Sequence, residues 1–190
     1  MVHTTRLVAL AAAAVVAGVL LSPIVSGDSE PAARAATLTS LERYAVQATA
    51  ADGSAYEYIP VNSRGHTKPE NTKDNRTILT FPMYSLATGD VIGTIIDDVQ
   101  PNGPGMFDVV TTYDFRDGKL VNHMTVSAAP DPQKNGWIIV GKRPDTNSIV
   151  EATGVYAGRT GRVDISGTND LTKFPNDLYQ DDFWVIKLNK

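Results

Sequence analysis

Three glycines stand among bulky residues in the stretch Gly154-Val155-Tyr156-Ala157-Gly158-Arg159-Thr160-Gly161-Arg162-Val163. Glycine within a strand marks a bulge, a corner or a close approach of two backbones. Several glycines in one segment indicate a sheet that bends sharply, as closure of a barrel requires. The strand-like tail Asp182-Phe183-Trp184-Val185-Ile186-Lys187-Leu188 follows. The segment therefore predicts the last part of an all-β fold that closes on itself.

Short runs of β-branched and aromatic residues, separated by turn clusters, extend this pattern over most of the chain. The predicted strands cover residues 56–61, 77–86, 91–97, 106–115, 120–128, 136–142, 149–155, 161–166 and 182–188, and residues 41–50 form a first strand or a short lead-in helix. Residues 62–76 are polar and are predicted to form a long loop. About eight strands joined by turns favour an antiparallel sandwich or barrel, and a barrel leaves no exposed edges. A small eight-stranded barrel has room for packed side chains or for one small ligand.

The N-terminal residues have the features of a secretory signal peptide. Arg6 precedes an uncharged apolar run over residues 7–21, and Ala33-Arg34-Ala35 fits the rule for a cleavage site. We therefore predict a signal peptide over residues 1–35, a single β-barrel domain over residues 36–190, and a secreted protein with no stable membrane association after cleavage. An uncleaved membrane anchor is the alternative, although a full span needs about 20 apolar residues.

Composition excludes several classes of function. The chain has no cysteine, which rules out disulfides, a thiolate nucleophile and a cysteine-ligated metal. The formal net charge of −4 and the lack of a basic cluster argue against a nucleic-acid partner. His66 and His123 are isolated and lack a carboxylate at ligand spacing, so no metal site is predicted. No cofactor is predicted either.

Three motifs, the last of which contains the three glycines, indicate a family of proteins that the chain resembles. They are Tyr56-Glu57-Tyr58-Ile59, the hairpin Gly89-Asp90-Val91-Ile92-Gly93-Thr94-Ile95-Ile96-Asp97-Asp98, and Thr153-Gly154-Val155-Tyr156-Ala157-Gly158-Arg159-Thr160-Gly161. In order and spacing they resemble the allene oxide cyclase and dirigent superfamily, whose members are calycin-like, eight-stranded antiparallel β-barrels. The chain departs from that pattern in two ways. It lacks the cavity cysteine of the cyclases, and Thr160 stands where the dirigent proteins usually have arginine.

The resemblance implies a barrel cavity that holds a hydrophobic, unsaturated small molecule in one conformation. It implies a cofactor-independent isomerase or cyclase, in which proximity and orientation supply most of the catalysis. It also implies a homo-oligomer assembled through the outer faces of the barrel. Two alternatives remain open from the sequence. One is a non-catalytic, lipocalin-like or dirigent-type binder, and the other is a secreted structural or interaction domain whose barrel is filled with side chains.

Three carboxylates are the candidate catalytic residues. Glu57 lies between two tyrosines and is a candidate for polarising a ligand in the cavity, but alternation along the strand equally allows it to face solvent. Asp97 and Asp98 are adjacent, so at most one faces the cavity. That residue is a candidate proton donor or acceptor, unless both residues cap the loop that follows. Asp181-Asp182 is predicted to be a solvated entrance to the last strand.

Large side chains are the candidates for the cavity wall, where rings give shape and stacking surface. The candidate ligand-binding residues are Tyr58, Tyr113, Met124, Trp137, Tyr156 and Trp184. The alternative is that these side chains pack the core or the outer face of the barrel.

Overall fold

A computed structural model describes residues 38–72, 74–142 and 148–189, which belong to one compact unit. The signal peptide predicted for residues 1–35 lies outside the described residues. Within the described part of the chain, no helix combines the length and the apolar character that a membrane span requires.

The described residues form a short helix, a 3-10 turn and a series of antiparallel strands. The helix α1 spans Ser40–Tyr44, and the 3-10 turn spans Gly154–Tyr156. The strands are β1 Val46–Thr49, β2 Ala55–Thr67, β3 Glu70–Asn71, β4 Thr77–Ser85, β5 Val91–Pro101, β6 Met106–Phe115, β7 Gly118–Pro130, β8 Trp137–Lys142, β9 Ser148–Ala152, β10 Gly161–Asp170 and β11 Leu178–Asn189.

Eight of these strands close into an antiparallel barrel. The order around the barrel is β2, β11, β10, β8, β7, β6, β5 and β4, and β4 then pairs back onto β2. The closing pairing is short and joins Val61 to Ser85, Asn62 to Tyr84 and Ser63 to Met83. Strands β1, β3 and β9 add to β2, β4 and β7 without entering the ring. The predicted eight-stranded barrel is confirmed.

Alternation along the strands divides the inside of the barrel from the outside. In β11, every second residue from Leu178 to Leu188 is buried, and the residues between them are half-buried or exposed. Burying a large apolar side chain stabilises the fold by about 1.5–3 kcal/mol. The largest fully buried side chains are Trp184, Tyr113, Tyr156, Phe81, Ile59, Met83, Ile95, Leu120, Met124, Ile186, Leu188 and Val61.

One end of the barrel is closed by α1, and we call it the closed end. Thr39 caps the helix through a capping box with Glu42. The Ser40 backbone N–H and hydroxyl each donate to the Asp117 carboxylate at 2.6 Å, and the Ser40 hydroxyl also bonds the hydroxyl of Tyr156. These contacts anchor the helix to the turn between β6 and β7.

Two local predictions were wrong. The glycine segment does not bend a strand, because β9 ends at Ala152, Gly154 and Gly158 lie in the connection, and Gly161 is the first residue of β10. The polar residues from Asn62 onward are not a loop, because β2 continues to Thr67. Its polar positions keep strand structure since they have partners inside the sheet: Ser63 accepts hydrogen bonds from Gln180 at 2.6 Å and from Trp184 at 2.8 Å.

Gly154 and Gly158 provide a matched test of why the connection needs glycine. Both have positive φ, +61° and +78°, where a side chain costs roughly 1–2 kcal/mol. A Cβ at Gly154 would also stand 2.1 Å from the Asp117 carbonyl oxygen, whereas a Cβ at Gly158 would meet nothing within 4 Å. We expect Gly154→Ala to lower the free energy of unfolding clearly more than Gly158→Ala in urea denaturation. Equal losses would contradict the close approach.

Candidate functional site

An apolar cavity of about 350 Å³ opens at the end of the barrel opposite α1. Its walls come from the ends of β4, β5, β6, β7, β8, β10 and β11 and from the connection between β10 and β11. The volume lies near the lower end of the range of about 300–1,000 Å³ for small-molecule sites. The apolar lining residues are Leu79, Val99, Pro101, Phe107, Val109, Val126, Ala128, Ile138, Val140, Ile165, Leu171, Phe174, Leu178 and Trp184.

Asp97 lies at the inner end of this cavity. It belongs to the inward-facing positions of β5, with Ile95 before it, and is 4% exposed. Thr111, its neighbour across the pairing of β5 with β6, donates its hydroxyl to Asp97 Oδ1 at 2.7 Å. The cavity therefore contains a carboxyl group that is set among apolar walls and shielded from solvent.

Asp182 supplies a second carboxyl group to the same cavity. The prediction that Asp182 is solvated was wrong, because it is 2% exposed and alternates with Trp184 on the inner face of β11. Asn169 Nδ2 lies 3.5 Å from Asp182 Oδ1, at the limit of a hydrogen bond. Gly167, the residue paired with Asp182 on β10, makes room for the carboxylate, since a Cβ there would stand 2.0 Å from Oδ1.

Burial raises the pKa of both carboxyl groups. Desolvation raises the pKa of Asp97 from 3.8 to about 7, although hydrogen bonds from Thr111 and Gln180 partly offset it. Desolvation, followed by the charge of Asp97, raises the pKa of Asp182 well above its ordinary value. Ionisation of Asp97 opposes ionisation of Asp182, so the pair keeps a proton to a higher pH than a solvated aspartate does.

The neighbouring acids face outward and are neutralised there. Asp98 accepts from Arg76 Nε at 2.6 Å on the outer side of β5. Asp181 lies 3.6 Å from Arg64 Nε on the outer side of β11. Of the adjacent pair Asp97 and Asp98, the structure therefore brings only Asp97 to the cavity.

Glu57 is buried, but at the closed end of the barrel. Its carboxylate is 2.9 Å from Arg159 Nη2 and accepts from Gln47 Nε2 at 2.9 Å. Glu57 pairs with Leu188, whereas Asp182 pairs with Ser63. The six-residue offset along the strand separates Glu57 from Asp182 by roughly 20 Å, so the structure does not bring them together.

The predicted large side chains fall into three places. Trp184 lines the cavity, and Tyr113 packs behind it with ring centroids 5.7 Å apart in an edge-to-face contact. Met124 is fully buried in the core, and Tyr156 is buried at the closed end beside Ser40. Tyr58 and Trp137 occupy outward positions of their strands, where Lys187 lies 5.9 Å from the Tyr58 ring and Lys134 lies 4.1 Å from the Trp137 ring.

Several buried polar residues of the site were not predicted from the sequence. Asn122 faces Thr111 across the pairing of β6 with β7, and neither its amide nitrogen nor its amide oxygen has a hydrogen-bond partner among the described residues. The signal was present in the tail, because Gln180 and Asp182 share the two-residue period of Trp184, Ile186 and Leu188.

A wider depression of about 710 Å³ lies outside the barrel at the closed end. It runs between α1 and the ends of β5 and β6, where Arg43 and Asp90 form an exposed ion pair at 3.7 Å. Four of its lining residues, Arg43, Asp90, Asp114 and Arg116, are charged and exposed to solvent. The apolar cavity with its two buried carboxyls is therefore the better candidate site.

In residues 38–72, 74–142 and 148–189, no group of three or more histidine, aspartate or glutamate side chains is placed to hold a metal ion. Comparison of the chain with protein-family models, curated proteins and solved structures found no match. The class defined by fold and site is thus a closed, eight-stranded antiparallel β-barrel with an apolar cavity and a buried pair of carboxyl groups.

The raised pKa of Asp97 predicts an unusual pH dependence of stability. Between pH values of about 4 and 7 the native state keeps a proton that the unfolded chain releases. Stability therefore falls as pH rises across this window, by up to roughly 1.4 kcal/mol per pH unit. We expect urea denaturation to show this decline in the wild-type protein and a weaker decline in Asp97→Asn.

Asp98→Asn is the control, because it changes the adjacent carboxylate on the outer face. We expect this variant to keep the wild-type decline and to lose no more than about 1 kcal/mol, as is usual for a surface ion pair. A decline of equal slope in Asp97→Asn and wild type would contradict the assignment to Asp97.

Proposed function

We propose that this protein is an exported barrel enzyme that steers the isomerisation or intramolecular cyclisation of a hydrophobic, unsaturated small molecule. The observation that carries the proposal is the position of Asp97 and Asp182 at the inner end of an otherwise apolar cavity. A substrate held there would be shielded from water and would meet its polar contacts only at the carboxyl pair. The signal peptide predicted at residues 1–35 accounts for export.

A carboxyl pair with one member protonated and the other ionised supplies both an acid and a base. The protonated carboxyl donates to an oxygen or carbon of the substrate, and the ionised carboxyl removes a proton elsewhere on the same molecule. The substrate gains one proton and loses one, so its mass does not change. The two acids exchange protonation states and need a return transfer, directly or through solvent, before the next turnover.

The apolar walls contribute through orientation. A flexible, unsaturated molecule confined to about 350 Å³ is limited to few conformations, and holding the reactive one removes much of the entropic part of the barrier. This agrees with what the resemblance to the allene oxide cyclase and dirigent superfamily implies. It does not depend on the residues in which the chain departs from that family, since Arg159 and Thr160 lie at the closed end with Glu57 and Asn189.

The alternatives fit the cavity less well. A barrel filled with side chains would leave no space of this size. A non-catalytic binder of apolar molecules gains nothing from two buried carboxyls, each of which costs stability when it ionises. The carboxyl pair therefore favours the enzyme over both alternatives.

The test uses the constraint that isomerisation conserves mass. Extracts of the producing organism and its medium are incubated with the protein and analysed by chiral chromatography with mass spectrometry. We expect a pair of features of identical mass, one consumed and one formed, with wild type and with Asp98→Asn. Asp97→Asn is expected to slow this conversion by about 100-fold or more, the usual contribution of general acid–base catalysis.

Two results would contradict the proposal, the first against an enzyme and the second against the role of the carboxyl pair. One is a compound that stays bound in native mass spectrometry and is recovered unchanged, which indicates the binder. The other is equal conversion by Asp97→Asn and wild type, which separates the carboxyl pair from the reaction.

A further inference from the structure

The charge of the cavity is unbalanced. Among the described residues that line it, Asp97 and Asp182 are the only ionisable side chains, and none is lysine, arginine or histidine. An anionic ligand would meet one or two carboxylates in an apolar setting with no compensating cation, where repulsion is weakly screened. The cavity therefore selects against carboxylates and phosphates.

The inner and outer carboxyls differ in whether a basic side chain neutralises them. Asp98 forms an ion pair with Arg76, and Asp181 forms one with Arg64. The inner pair has neutral donors instead, among them the hydroxyl of Thr111 at 2.7 Å and the amide of Asn169 at 3.5 Å. A buried carboxylate is stabilised far better by a cation than by neutral donors alone.

Unused hydrogen-bonding capacity lies on β7. Asn122 is 0% exposed, and neither the nitrogen nor the oxygen of its amide has a hydrogen-bond partner among the described residues. The register places Asn122 beside Thr111, which itself pairs with Asp97, so the unpartnered amide lies two strands from Asp97. Buried polar groups are normally hydrogen-bonded to protein or to ordered water, so the Asn122 amide points to a polar occupant beside Thr111 and Asp97.

We propose that the cavity takes a small apolar amine, whose protonated nitrogen lies against Asp97 and Asp182 and whose hydrocarbon body fills the apolar walls. An ammonium group has three donors and no acceptor, which suits two carboxyls and a further acceptor nearby. The inference rests on the proposed function, because it uses the same cavity, and it narrows the substrate class to nitrogen-containing molecules. With an amine bound and both carboxyls ionised, one carboxylate removes a proton from the substrate and returns it elsewhere on the same molecule, so the isomerisation still conserves mass.

Binding of such an amine is coupled to pH. The free protein keeps a proton on the carboxyl pair near neutral pH, because burial raises the pKa of both groups, and the ammonium favours the fully ionised pair, so binding releases a proton. Affinity rises with pH until the amine itself deprotonates. The titratable group facing the pair is Tyr113 from β6. Asp181 of β11 lies on the outer face and acts on Asp182 through its charge, while Ser63 of β2, Leu79 of β4 and Asn169 of β10 do not titrate.

Three probes of matched size test the proposal by isothermal titration calorimetry on the full chain: phenethylamine, phenethyl alcohol and phenylacetate. At a pH of about 8 we expect the amine to bind at least about tenfold more tightly than the alcohol, and phenylacetate not to bind. The binding enthalpy of the amine should vary with the ionisation enthalpy of the buffer, which reports the released proton.

Substitutions test whether the carboxyl pair is responsible for the preference for the amine. Asp182→Asn should remove the preference for the amine, and Asp98→Asn should keep it. If circular dichroism shows that Asp182→Asn does not fold, the pH dependence of amine affinity and the proton release of the wild-type protein still test the proposal. Two results would contradict the amine inference without affecting the proposed enzyme. One is that the alcohol binds as tightly as the amine, and the other is that the affinity for the amine falls between pH values of about 6 and 8. No binding of any probe, together with no isomer pair in extracts, overturns both.

Discussion

The pairing of β2 with β4 is the constraint on which the site depends. Three residue pairs from Val61 to Ser63 close the ring, and closure turns one face of every strand into an interior. Without it, Asp97 and Asp182 would lie on a curved open sheet in contact with water and would ionise freely. Closure therefore sets both the shape of the cavity and the raised pKa values of its carboxyls.

The same interior explains why the two residues of each doublet, Asp97-Asp98 and Asp181-Asp182, have different surroundings. In each doublet one residue faces outward to an arginine and the other faces the cavity, because successive side chains in a strand point to opposite sides. Desolvating the inner carboxyls opposes folding when they ionise, a cost that the apolar core must offset. A cost of this kind persists most readily where chemistry or binding uses it.

More of the fold than of the candidate site could be predicted from the sequence. Strand composition, the Asp117-Gly118 turn and the residue period in the tail were sufficient for an antiparallel sandwich or barrel, and the resemblance to a barrel family selected the barrel. These features were not sufficient for the polar interior, because Ser63 falls in a run that is typical of a loop until its partners Gln180 and Trp184 on β11 are known. Asp97 could be predicted only as one of two choices, since alternation fixes opposite faces but not which face is inside. Glu57 could not be separated from Asp97, because the distance between the two ends of a barrel depends on strand register.

Titration of the two buried carboxyl groups tests the central claim most directly. Carbon-13 NMR of the aspartate side-chain carboxyls, assigned with Asp97→Asn and Asp182→Asn, follows each protonation against pH. The account predicts two coupled transitions, both above the ordinary aspartate range and one with a pKa of about 7. Two independent transitions near a pH of about 4, as in solvated aspartates, would contradict a closed apolar cavity around this pair.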